Sequence, residues 1–156
     1  MTTPLPSKDM LLEACAGTVP VPHPVLVAAH ELACLHQARR SADVVRINDI
    51  DCARAGLIHD IDRWIATTVP QPYGAATMHS ETVGMVVDRL VRFSVNAYAT
   101  LTADTPDVEL HHAWKRLAEL TIAYADLTAE IAARTRRLPD LAAPQLEANH
   151  RDGDHD

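Results

Sequence analysis

Between His79 and Thr102 the chain reads HSETVGMVVDRLVRFSVNAYATLT. Stepped at about 100° per residue, the angle of an α-helix, Val83, Val87, Leu90, Val91, Ser94, Ala97, Tyr98 and Leu101 fall on one broad arc, with Val86 and Phe93 at its edges. An apolar arc this wide predicts a helix covered by several neighbours, around which the other elements are organised. Thr77 or Ser80 is its expected cap. The remaining strip carries Glu81, Met85, Asp88, Arg89, Arg92 and Asn96. Asp88 and Arg92 are four apart and within pairing reach. Such a strip is ordinarily solvated; it is also the pattern of a buried polar site against a neighbouring helix.

The other elements follow from the same periodicity. Ser7 caps a short helix to about Ala16, with Met10, Leu11 and Ala14 on one side, and Gly17 stops it. Three prolines within TVPVPHP then enforce an extended arm. Pro24 opens a helix to about Arg40, with Val25, Ala28, Ala29, Leu32 and Leu35 on one face. SADVVRI reads as a loop, with Asn48 or Asp49 capping a helix to about Thr67 whose face holds Ile47, Ile50, Leu57, Ile58, Ile61, Trp64 and Ile65. TTVPQPYGAATM is a loop without regular structure, because Pro70, Pro72 and Gly74 interrupt it.

A last helix starts at Asp104 or Thr105, with Pro106 in its first turn, and runs to about Leu138. Leu110, Leu117, Tyr124, Ile131 and Leu138 recur at sevens, with Ala113, Leu120 and Leu127 in the second register and Trp114 beside them. That is the seam of a packed bundle or coiled coil. Lys115, Glu119, Asp126, Glu130 and Arg137 form its wet face. The expected fold is all-α: an antiparallel four-helix bundle over residues 24–138, preceded by a short helix and Pro-rich arm over 1–23. A flexible acidic tail follows over 139–156, mobile beyond Pro144.

Composition narrows the classes. The formal charge is -7, with 47% apolar and 4% aromatic residues, so clustered phosphate-binding Lys and Arg and base-stacking platforms are both missing. No nucleic-acid partner is expected. No apolar run approaches the roughly 20 residues of a membrane span, and MTTPLPSKDM lacks the charged start and apolar block of a secretory signal. A cytoplasmic protein is expected. Abundant Ala and Arg with only Lys8 and Lys115 as lysines fit a GC-rich bacterial source. Cys15, Cys34 and Cys52 are odd in number and widely spaced, which argues against disulfides or a zinc knuckle and for small apolar residues on helices.

Two residues stand out for chemistry. His36 sits mid-face on the second helix, where a histidine is usually a hydrogen-bonded core residue and sometimes an acid or base. Arg54 sits near the centre of the third helix's apolar face, where a guanidinium left unpaired is too costly to keep. Asp51 and Asp62 on its own helix, and Glu81 and Asp88 on the next, are the carboxylates within reach. The Glu109-x-x-His112 pair has metal-ligand spacing but falls on the wet face, and His59-x-x-Asp62 splits across its helix, so no metal or cofactor is expected. His150 and His155 in the tail carry no functional reading. Phosphate-loop, dinucleotide and nucleophile-elbow motifs do not occur. Arg54, Arg89 and Arg92 could hold a dicarboxylate as arginines do in chorismate-mutase-like bundles, by analogy of architecture only.

Ala53-Arg54, Ile61-Asp62, Glu81-Thr82-x-Gly84 and Asp88-Arg89-Leu90 together resemble the bacterial family called domain of unknown function 4254, over roughly residues 24 to 138. In that family an arginine on one helix and an E-T-x-G-x-x-x-D-R-L stretch on the next form the recognisable centre. The resemblance implies an all-α fold and no settled activity, and it groups Arg54, Glu81, Asp88 and Arg89.

Two functions fit. In the first, Arg54, Glu81, Asp88 and Asp62 form a buried ion-pair network in a binding or assembly protein that is a homo-oligomer through its last long helix. In the second, a small enzyme binds an anionic metabolite through Arg54, Asp62, Glu81, Arg89 and Arg92, with His36 or Asp88 as acid or base.

Overall fold

The computed structural model describes residues 4–102 and 104–140. They form five helices: α1 (Lys8–Cys15), α2 (Pro24–Arg39), α3 (Val44–Thr68), α4 (Val83–Thr102) and α5 (Asp107–Ala132). Two short extended pieces, β1 (Thr77–Met78) and β2 (Arg136–Arg137), pair in parallel. The fold is all-α. The expected mobile tail lies outside the described residues.

α4 is the hub. α1, α2, α3 and α5 each pack on it, while α5 meets α1 and α4 but neither α2 nor α3 among the described residues. Its apolar arc explains this: Val83, Val87, Leu90, Val91, Ser94 and Ala97 are all buried. The arc's last members, Tyr98 and Leu101, are exposed. The ring of Tyr98 is instead covered edge-on by Trp114, 5.2 Å away.

α1 starts at Ser7, whose hydroxyl accepts the Met10 amide N–H, and it ends where Gly17 takes φ +109°. The N-cap of α2 is His23. Its Nδ1 accepts the Val25 amide N–H at 3.1 Å, its Nε2 meets the Pro4 carbonyl oxygen at 3.1 Å, and its ring lies 4.6 Å from Trp64. Burial lowers its pKa, against the opposing pull of the Pro4 carbonyl. This histidine thus ties the Pro-rich arm to α2 and α3.

Three boundaries differ from the sequence reading, and α5 differs in its cap as well: Pro106 stands at its N-cap with no side-chain bond, not Asp104 or Thr105. α3 begins at Val44, not after Asn48 or Asp49, because the Asp43 carboxylate accepts the Arg46 amide N–H at 2.9 Å. The hydrophobic pattern hid this first turn, since Val44 and Val45 both project into solvent. α4 begins at Val83 and is capped by Thr82, not by Thr77 or Ser80: the Thr82 hydroxyl accepts the Met85 amide N–H at 3.2 Å. Thr77 is already engaged in β1.

The end of α5 is the third difference. The helix stops at Ala132 rather than Leu138, and Arg134 takes φ 63°. The chain then reverses into a strap over 136–140. Tyr73 donates its amide N–H to the Arg134 carbonyl at 3.0 Å, and Arg134 Nε donates to the Gln71 carbonyl at 2.6 Å. The Pro- and Gly-interrupted loop, expected to be irregular, is therefore stapled to the strap. Leu138 continues the seven-residue recurrence without continuing the helix.

Along α5 the seam holds: Leu117, Tyr124, Leu127 and Ile131 are buried. The Tyr124 hydroxyl donates to the Pro6 carbonyl at 2.7 Å, and burial pushes its pKa up. The cysteines correct an expectation. Cys15 is half-buried, and burial pushes its thiol up to about 12, but Cys34 and Cys52 are exposed.

Candidate functional site

Three helices bring a chain of alternating charge together. On α2, one turn before the helix ends, His36 is buried and places Nε2 2.8 Å from Asp88 Oδ1 of α4. Asp88 lies in the second turn of α4 and turns toward α2 and α3, whereas Met85, Arg92 and Asn96 of the same strip are exposed. From α3, Arg54 donates Nε to Asp88 Oδ1 at 3.2 Å and Nη2 to Asp88 Oδ2 at 2.7 Å, the paired geometry of a guanidinium on a carboxylate. Its remaining Nη1 donates to Asp51 Oδ1 at 2.8 Å, one turn earlier on α3. Asp51 in turn receives both Nε and Nη2 of Arg39, at 3.0 and 3.2 Å.

The relay His36–Asp88–Arg54–Asp51–Arg39 thus runs from a histidine side chain 3% exposed to an arginine side chain 42% exposed. Two carboxylates balance two guanidiniums, and each ion has an opposite charge beside it. That balance is what lets a carboxylate sit in the interior. Burial pushes Asp88 up, but the His36 and Arg54 hydrogen bonds outweigh it and hold the carboxyl down at about 2. Asp51 is lowered as well, by Arg39 first and then Arg54.

A carboxyl held this low is a poor proton acceptor near neutrality, and it stores stability that acid removes. The folded value lies below the ordinary 3.8, so the contribution is complete above about pH 4 and is lost as pH falls toward 2. The shift corresponds to about 2 kcal/mol. Urea titrations between pH 5 and 2.5 should show this loss, and Asp88→Asn should flatten that part of the profile. Parallel profiles for the two proteins would mean that Asp88 gains nothing from its partners.

The remaining residues singled out from the sequence go elsewhere. Glu81 pairs with Arg89 at the start of α4, separately from Arg54. Asp62 accepts the Gly84 amide N–H at 2.8 Å and is also bonded by Thr82. Burial pushes its carboxyl above the usual range despite those bonds. Arg92 is exposed, its guanidinium 5.5 Å from the Phe93 ring centre, and it does not pair with Asp88. The structure therefore gathers His36, Asp88 and Arg54, adds Asp51 and Arg39, and leaves Asp62, Glu81, Arg89 and Arg92 outside. Arg39 does not stand out in the sequence. Its only signal is its place three residues after His36, facing the Asp51–Arg54 turn.

Glu81, Thr82, Gly84, Asp88 and Arg89 now have one physical account. Thr82 caps α4 and bonds Asp62 of α3. Gly84 lets the two helices touch: a Cβ there would stand 2.5 Å from the Ile58 carbonyl oxygen and 2.7 Å from Asp62 Oδ1. One turn on, Asp88 clamps Arg54, and Arg89 folds back onto Glu81. The motif is a device that seats the first turns of α4 on α3.

These features define an all-helical protein whose central helix is docked by a glycine contact and an ion relay. The family described as "Protein of unknown function (DUF4254)" matches residues 35–139, from the last turn of α2 through the strap, and the chain belongs to that family. Neither the curated proteins nor the solved structures contain a match.

Proposed function

We propose that the protein acts by binding and assembly, as two copies joined through α5, with the relay fixing the register of α2, α3 and α4 inside each copy. The observation that carries this reading is the one-sided packing of α5. Among the helices, this one of 26 residues leans on α4 and α1 alone, and its outward face leaves Val108 81% and Ile122 57% exposed. Ala118, Ala129 and Ala132 are exposed beside Ile122 and allow a second helix to approach closely.

Charge favours a second copy of the same helix running the opposite way. Lys115 and Arg116 precede Ile122, with Glu119 3.8 Å from Lys115, and Asp126 and Glu130 follow it, with Glu130 also held by Arg136. A two-fold axis near Ile122 sets Lys115 of one copy near Asp126 and Glu130 of the other, a contact that a self-complementary interface can use. The reading in which Arg54 holds an anionic metabolite is less favoured, since Nε, Nη1 and Nη2 each already bond a protein carboxylate and only the second N–H of each Nη is left over.

Size-exclusion chromatography with light scattering tests the proposal. The full chain should elute at twice its mass, and Ile122→Asp should weaken association by at least about tenfold while the chain keeps its helical circular-dichroism spectrum. A clean monomer at high concentration overturns it.

A further inference from the structure

A second candidate site lies away from the relay. A cleft of about 550 Å3 runs along the second half of α3. The 69–72 loop, the first turn of α4 and the 136–140 strap close it, and none of His36, Arg54 and Asp88 lines it. Its walls are apolar: Ile58, Ile65, Val69, Val83, Ile131 and Leu138. Small-molecule sites share this size, about 300–1,000 Å3, and this mixture of apolar walls with a few polar groups. The cleft is also preformed, because its outer wall is pinned by the β1–β2 pairing and the Arg134 staple.

The charged groups lining it are His59, Asp62, Arg63, Arg136, Arg137 and Asp140. Arg136 is neutralised by Glu130, with Nε 2.8 Å from Oε2. Arg63 and Arg137 have no carboxylate within ion-pair distance among the described residues. Among the described residues, the Arg137 guanidinium donates to the Tyr73 carbonyl at 3.2 Å. On the acidic side, Asp140 has interactions of its own. Asp62 turns toward the first turn of α4, and its burial favours the neutral acid. The cleft therefore offers two guanidiniums beside an apolar slot, together with the carboxyls of Asp62 and Asp140.

We infer that this cleft binds an amphipathic monoanion, its apolar chain lying between α3 and the strap and its carboxylate held by Arg63 and Arg137. Guanidinium forks match a carboxylate in shape as well as charge, and the apolar walls supply the burial that two surface contacts alone lack. The inference is independent of self-association, because its residues lie off the outward face of α5.

Calorimetric titration of decanoate into the full chain is the test. One saturable site is expected, and Arg63→Glu should weaken it by about tenfold or more. Arg63 is exposed, so this variant should melt like the parent. Ala66→Phe, which fills the slot from α3, should abolish binding, and Ile122→Asp should leave it unchanged. Absence of saturable binding overturns the inference. So does decylammonium binding as tightly as decanoate, an Arg63→Glu protein that binds like the parent, or loss of binding in Ile122→Asp, which would assign the cleft to contacts between copies.

Discussion

Arg54→Ala should lower the folding free energy by about 3–5 kcal/mol, the range for removing one partner of a buried ion pair. For a chain of this size that is a fall in melting temperature of about 10 °C. The reason is what the substitution leaves behind. Asp88 keeps only His36 and must hold its charge in the interior of three helices, while Asp51 keeps Arg39 at the surface. Arg54→Lys should be nearly as damaging, since one ammonium cannot reproduce the paired contact to both Asp88 oxygens and reach Asp51 as well. The double variant Arg54→Met with Asp88→Leu should recover much of the loss, because no orphan charge remains. Thermal melts by circular dichroism decide the matter. If Arg54→Ala melts like the parent, the relay does not hold the helices, and the role of the guanidinium has to be sought in binding.

Gly84→Ala is the second large effect, and the added group is a single methyl. Its Cβ would come within 2.5 Å of a backbone oxygen, which cannot swing aside as the tip of a side chain can. Relief requires the start of α4 to lift from α3. That movement stretches the Gly84–Asp62 hydrogen bond and disturbs the Asp88–Arg54 geometry one turn away. Overpacking costs about 1–3 kcal/mol in ordinary cores; the upper part of that range is expected here, because two polar contacts are lost with the packing. Gly56→Ala is the internal control. That glycine lies within α3, and a methyl added there would meet open space, so the same change should stabilise the helix by up to about 1 kcal/mol. Urea titrations of the two variants should therefore move in opposite directions. Equal shifts would mean that the α3–α4 contact at Gly84 is compliant.

What the amino-acid order makes legible is set by periodicity. The faces of α2 and α4 and the seam of α5 can be read because apolar residues recur at helical spacing where helices bury one side. Arg54 and His36 can be read because each interrupts such a face and needs a partner. Which partner is not legible: Asp51, Asp62, Glu81 and Asp88 are all within reach, and only packing decides that Asp62 serves the first turn of α4 and Glu81 serves Arg89. The first turn of α3 is hidden because its valines face water and its only marker is a capping aspartate. The end of α5 is hidden because Leu138 keeps the spacing of the helix after the backbone has left it at Arg134. The cleft is invisible for the same reason, since one of its walls is a strap that carries a helical pattern.

The bond from Tyr124 to the Pro6 carbonyl has a consequence for how the molecule comes apart. Among the described helices α5 packs on α4 and α1 alone, and one of its anchors is a segment more than a hundred residues earlier in the chain. Local opening of that arm removes a lid from α5 while the relay keeps the other helices joined. The amides of α5 should then exchange with solvent together with those of α1, as one cooperative unit that opens more readily than the rest.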